Sequence, residues 1–145
     1  MNKQNYSNHA RYYPLHHFVI TPLTLVFLAW TGNKMDFSTP ESISESIYLF
    51  IGAFVLVLLP VLARMYAITL QNRIILNEMR NRYFHLTGET FGKREQNLTL
   101  GQIIALRFAG DSELIGLIEK AEAQKLTPKE IKKAIQGWKG DYIRV

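Results

Sequence analysis

From Ser46 to Ala63 the chain reads SIYLFIGAFVLVLLPVLA, eighteen positions without a charge. At about 1.5 Å of rise per residue, a helix of that length crosses the hydrocarbon core of a bilayer. At Arg64 the pattern changes. The stretch RMYAITLQNRIILNEMRNRYFHL has no Gly or Pro before Gly88. Val61, Met65, Ile68, Asn72, Ile75 and Met79 follow alternating steps of four and three, the spacing of a helix seam, and Tyr83 extends it. This predicts a second span that continues as a long amphipathic helix. An earlier apolar run, Phe18 to Trp30, becomes long enough to cross when the uncharged positions back to Tyr12 are counted. Thr21, Pro22 and Thr24 weaken it and predict a kink. Gly32, Pro40 and a cluster of Ser and Thr mark the intervening stretch as a loop.

The predicted fold is an all-α membrane protein built on a two-helix transmembrane hairpin. Its segments are an N-terminal segment at 1–13, spans at 14–30 and 46–63, an external loop at 31–45, a helical extension at 64–87, a loop at 88–97 and a small three-helix region at 98–145. In that last region Thr99 caps a helix carrying Ile103 and Ile104, and Asp111 or Ser112 caps one carrying Leu114, Leu117 and Ile118. Thr127-Pro128-Lys129-Glu130 is a capping box with proline in the first turn. Ile131, Ala134, Ile135 and Trp138 form the apolar face that follows, with Gly137 and Gly140 as its end. Fewer than fifty residues make a marginal core. The candidate interaction stripe Met65, Ile68, Asn72, Ile75, Met79 and Tyr83 therefore has three readings. It packs on the chain's own carboxy-terminal helices, pairs with a second copy or a partner helix, or lies on anionic lipid. The small size of the carboxy-terminal core favours the first.

The net charge of +5 is unevenly placed. Lys3 and Arg11 precede the first span, and Lys34 stands against Asp36, Glu41 and Glu45 in the loop. Arg64, Arg73, Arg80 and Arg82 follow the second span. The positive-inside rule puts both termini in the cytoplasm and the acidic loop outside. Arg64, Arg73, Arg80, Arg82, Lys132 and Lys133 form a candidate basic surface for anionic lipid. Glu119, Glu122 and Glu130 interrupt it, and no base-reading set falls on one helix, which argues against nucleic acid.

Candidate chemistry is sparse. The chain has no cysteine, which excludes disulfides and thiolate metal sites. His16 and His17 point about 100° apart on a helix, and neither they nor His9 and His85 suggest a metal centre. GETFGKRE lacks the spacing of a phosphate-binding loop. No acid lies within either span, so nothing suggests ion transport. The sequence thus predicts no catalytic, cofactor-binding or metal-binding residue. The expected role is that of a non-enzymatic accessory or scaffold subunit, whose partners are membrane lipid and another protein or a second copy. The alternative is a membrane-tethered regulator binding anionic lipid or nucleic acid through the basic face.

Four stretches carry a resemblance: QNYSNHARYYPLHH, LARMYAITLQNRIILNEMRNRYFHLTG, LTLGQIIALRFAGDSEL and IKKAIQGWKGDYIRV. Together the chain resembles a family of small two-span bacterial membrane proteins classed only as a domain of unknown function. The resemblance covers nearly the whole chain and implies a bacterial inner-membrane location. It carries over no catalytic or binding residue.

Overall fold

The computed structural model describes residues 4–9 and 12–141. These residues are all-helical and contain no strand. A π-helical turn, Leu15–Ile20, leads into α1 (Thr21–Asn33). There follow α2 (Pro40–Thr87), α3 (Gly92–Asn97), α4 (Leu100–Leu106), α5 (Asp111–Gln124) and α6 (Pro128–Ala134). The chain divides into two compact units. One is the hairpin Tyr12–Ile68; the other contains the described amino-terminal residues 4–9 and residues 69–141.

In the hairpin unit, the π turn has a local cause. Pro22 offers no N–H to the preceding turn, and the ladder widens by one residue. Both the backbone N–H and the hydroxyl of Thr21 reach the carbonyl of His16, five residues back, the hydroxyl at 2.8 Å. The distortion expected around Thr21, Pro22 and Thr24 thus takes the form of a π turn. α2 begins earlier than the predicted span. Thr39 and Ser42 exchange reciprocal side-chain-to-backbone hydrogen bonds at 3.0 and 3.1 Å, with Pro40 in the first turn, so the cap at Thr39 lies seven residues ahead of Ser46. α2 then runs as one helix to Thr87, past Pro60. It stops where Gly88 turns into the left-handed region at φ 74°, donating its N–H to Phe84 O at 2.8 Å.

The covered positions of α1 are Thr21, Thr24, Leu28 and Thr31, and those of α2 in this unit include Ser46, Phe50, Ala53, Val57, Pro60, Arg64 and Ala67. Both series step by three and four, the spacing of two helices meeting along a seam. The threonine hydroxyls bond back to their own helix: Thr24 to Ile20 O at 3.0 Å and Thr31 to Leu28 O at 2.9 Å. A Cβ added at Gly32 would meet the ring of Phe50 at 3.6 Å. Small residues and internally satisfied threonines are what allow helices to approach without a water-driven core. The rest of the unit's apolar side chains face outward, among them Leu23, Val26, Tyr48, Ile51, Leu56 and Leu59.

The second unit has a conventional core. Ile75, Met79 and Tyr83 of α2 are buried in one cluster with Phe91, Ile103, Leu106, Phe108, Leu114, Ile118 and Ile131. The carboxy-terminal helices close around the end of α2, which supplies the apolar face that their own small number could not. Three local expectations need correction. Residues 88–97 are not wholly loop, because buried Phe91 anchors α3 and Arg80 grips Glu95 of α3 through two hydrogen bonds of 2.7 Å. The cap of α5 is Gly110, not Asp111 or Ser112, because the Glu113 carboxylate reaches back to the Gly110 N–H at 3.2 Å. α6 ends at Ala134, where Ile135 becomes extended, short of the glycines expected to stop it. The box at Thr127 has the predicted form, with Thr127 N–H to Glu130 Oε2 at 2.8 Å and Glu130 N–H to Thr127 Oγ1 at 3.3 Å.

Candidate functional site

α4 and α5 are joined by a tight turn through Phe108, Ala109 and Gly110, and the segment after α6 returns beside it. Lys139 N–H donates to Phe108 O at 2.8 Å. Ala109 and Trp138 form an isolated antiparallel bridge. The rings of Phe108 and Trp138 lie 5.2 Å apart. Glu113 locks the two segments together. Its Oε1 accepts from Gly137 N–H at 3.0 Å as well as from Gly110, and its Oε2 accepts from Gln136 N–H at 3.0 Å. A Cβ at Gly110 would stand 3.0 Å from Gly137 O, a tight contact that glycine avoids.

Arg82 fastens α2 to the same turn. Its Nε donates to Asp111 Oδ1 at 2.5 Å, Nη1 to Arg107 O at 3.1 Å and Nη2 to Ala109 O at 2.5 Å. The guanidinium thereby satisfies carbonyls at the end of α4, which a helix terminus leaves without internal partners. Hydrogen bonding to Arg82 holds the Asp111 carboxyl below its usual range, with the cation's charge adding to the effect. Arg107 pairs with Asp141 at 2.8 Å.

The amino-terminal segment completes the assembly. Gln4 is buried; its Oε1 accepts from Asp141 N–H at 2.7 Å and its amide donates to His9 O at 3.3 Å. The His9 ring lies 5.8 Å from Tyr6, 6.0 Å from Phe108 and 5.9 Å from Trp138. His9 Nε2 is 3.0 Å from Lys132 Nζ, and Nδ1 is 2.7 Å from Tyr6 O. An ammonium only donates and a carbonyl only accepts, so in this arrangement Nε2 is the acceptor toward Lys132 and Nδ1 the donor toward Tyr6 O. Residues 4–9, the end of α2, the α4–α5 turn and residues 136–141 therefore meet in one interlocked cluster.

Beside that cluster lies an open cleft of about 540 Å³. Met79 and Leu86 form its apolar wall, and Glu78, Asn81, Arg82, His85, Arg107, Asp111 and Lys139 its polar one. Among the described residues no three His, Asp or Glu side chains gather as metal ligands.

The candidate stripe is divided by its surroundings. Ile75, Met79 and Tyr83 are core, whereas Met65 and Ile68 are exposed and Asn72 is half-buried. Arg94, on α3, reaches the carboxylates of Glu122 and Glu119 on α5. The candidate basic surface is also not brought together. Arg80 and Arg82 face acids of their own chain. Lys132 sits at His9 and over the Phe108 ring, Lys133 lies 5.9 Å from the Tyr6 ring, and Arg73 is exposed on α2. Arg64 lies on the covered side of α2 in the hairpin unit. Sequence reasoning missed the docking of residues 4–9 and the role of Glu113. The first has no periodic apolar pattern, and the second could be found only from the Gly-x-x-Glu spacing of a capping box.

The chain belongs to the family described as "Family of unknown function (DUF6526)", whose model matches residues 1–145. No curated protein and no solved structure matches it.

Proposed function

We propose that this chain is a non-enzymatic integral membrane protein of the bacterial inner membrane, an accessory or scaffold subunit. In this reading Leu15–Asn33 and the first half of α2 form a transmembrane hairpin. The unit of residues 4–9 and 69–141 presents a helical binding surface to another protein in the cytoplasm. The observation that carries it is the contrast between the two units. Both helices are long and apolar enough to cross a bilayer, yet almost none of their apolar surface is buried. The other unit buries its apolar residues on itself. A contiguous exposed apolar surface of that extent needs a nonaqueous partner, and hydrocarbon fits two outward-facing apolar helices.

Two further observations support the hairpin. The chain leaves the unit of the amino-terminal segment before Tyr12 and returns to it at Thr69, which fits an even number of crossings. The bias of Lys and Arg toward that unit's side supports a cytoplasmic position for it. A regulator gripping anionic lipid or nucleic acid through its basic face has less support, because Arg80 and Arg82 are engaged by Glu95 and Asp111.

Single cysteines in the cysteine-free chain test the topology. A membrane-impermeant thiol reagent on intact cells should label Cys at Ser38 and spare Cys at Ser112. The reverse pattern would overturn the orientation, and labelling of both would overturn the hairpin. Purification in mild detergent followed by mass spectrometry tests the scaffold role. A stoichiometric protein partner is the expected result, and a chain that always purifies alone would count against it.

A further inference from the structure

Beyond Thr69, Ile75, Met79 and Tyr83 turn one side of α2 into the core. The opposite side carries Leu70, Ile74, Asn77, Asn81 and Phe84, separated by steps of four, three, four and three. That is the repeat of a two-helix seam. All five are exposed, Leu70 by 60%, Ile74 by 59% and Phe84 by 51%. The flanks of this seam differ in charge. Arg73 and Arg80 precede Ile74 and Asn81 on one flank, and Glu78 and His85 follow Asn77 and Phe84 on the other. Arg73 and Glu78 are exposed and enter no salt bridge among the described residues. Five residues apart, they stand about 140° from each other round the helix, too far to pair within one chain. Glu78 also lines the open cleft described above, which adjoins its flank.

We propose that this face pairs with the same face of a second copy of the chain, in parallel and in register. The proposal rests on the transmembrane-hairpin reading above, because two copies inserted in one bilayer in the same sense project their α2 helices in the same direction. The charges select that arrangement. In a parallel seam a residue just before one seam position meets the residue five further along on the other helix. Arg73 of each copy then faces Glu78 of the other, and two-fold symmetry makes the contact twice. In an antiparallel pair the basic flank would meet the basic flank. Asn81 lies opposite its counterpart, and an amide both donates and accepts, so the two fix the register by bonding to each other. A lipid surface suits the face less well, since Asn77 and Asn81 interrupt its apolar line at the middle. Three apolar side chains per copy make a weak seam. The pair therefore forms at the effective concentration of a shared bilayer and separates in dilute detergent.

The chain has no cysteine of its own, so disulfide crosslinking in native membranes tests the seam. Two differently tagged full-length copies, each carrying Ile74→Cys, are coexpressed and mildly oxidised. They should give a linked species bearing both tags. Ser112→Cys, exposed in the same unit but off the seam, should give about fivefold less. In the Ile74→Cys background, Arg73→Glu should lower the yield about fivefold, and Glu78→Arg should do the same, because each turns two attractions into two repulsions. The two reversals combined restore opposite charges across the seam and should return the yield to near its starting level. That recovery separates a lost contact from a misfolded variant. No species with both tags, or a disulfide to a different protein, overturns the second copy as the occupant. A yield indifferent to charge reversal, or one that the double reversal fails to recover, overturns the parallel seam. Impermeant labelling of Ser38→Cys in the same cells reports on the hairpin separately. Outside labelling without crosslinking removes the seam and leaves the hairpin standing. Protection of Ser38→Cys overturns the hairpin and, with it, the parallel arrangement.

Discussion

Arg82 and Glu113 act on backbone groups that helix ends and tight turns leave without partners. Arg82 serves two carbonyls and one carboxylate with a single planar fork. Arg82→Met should lower unfolding stability by about 2–3 kcal/mol, since it strands the carbonyls of Arg107 and Ala109 and the Asp111 carboxylate. Arg82→Lys should rescue little of it, because one ammonium cannot reproduce three divergent donors. Glu113 accepts from three backbone N–H groups. In Glu113→Gln the new NH₂ group points a donor at donors, a loss of about 1–3 kcal/mol. Urea titration of the three variants in detergent, followed by the fluorescence of Trp138, measures both effects. Variants that unfold at the wild-type midpoint would remove these two residues as the fasteners of the turn.

At the scale of elements, the apolar periodicity of α2 had a different meaning on each side of its length. Beyond Thr69 the helix packs in the ordinary way, and the seam read from the sequence coincides with the buried Ile75, Met79 and Tyr83. Before it, apolarity does not mark the inside. Met65 and Ile68 are exposed, while the covered line of α2 contains Ser46, Ala53, Pro60, Arg64 and Ala67. On the transmembrane-hairpin proposal this inversion has a cause, because a helix facing hydrocarbon puts its apolar residues outward and meets its neighbour through small or polar ones. The caps were legible wherever a hydroxyl preceded Glu or Gln by three residues, as at Thr99 and Thr127. α3 was not, because its six residues GKREQN carry no periodic apolar signal and its anchor, Phe91, lies just outside. Neighbouring cysteines distinguish packing on the same chain from a seam with another. Ile75 is 3% exposed and Ile74 59% exposed. In purified protein, Cys at Ile74 should react rapidly with a maleimide, and Cys at Ile75 should react only under denaturing conditions and form no crosslinked dimer. Efficient crosslinking through position 75 would restore the intermolecular seam.

For the whole molecule, the unit of residues 4–9 and 69–141 is held together by acids facing cations across its elements, and this sets its response to pH. Hydrogen bonding and charge from Arg80 lower the Glu95 pKa, and the same two effects from Arg82 lower that of Asp111. Glu130 is lowered chiefly by the Thr127 hydroxyl, then by its backbone N–H. In each case the folded pKa lies below the unfolded value of about 4. Such a group binds fewer protons folded than unfolded, so its contribution is complete above the unfolded pKa and is lost as pH falls through the folded one. Stability should therefore be level with respect to these three carboxylates from pH 7 to about pH 5 and decline below about pH 4. The pairs at the surface are screened by water, so the decline is shared among several groups and no single one dominates it. Thermal melts of the detergent-solubilised chain followed by circular dichroism should show this acid limb. Glu95→Gln and Asp111→Asn, combined, should lower stability at pH 7 and flatten the limb, because the mutated sites no longer exchange protons. The hairpin helices satisfy their backbone internally and hold no acid between Leu15 and Asn33 or between Ser46 and Ala63, so their helical signal should persist through the acid transition. A limb of unchanged steepness in the double variant would mean that acid unfolding is governed by carboxylates other than those facing Arg80 and Arg82.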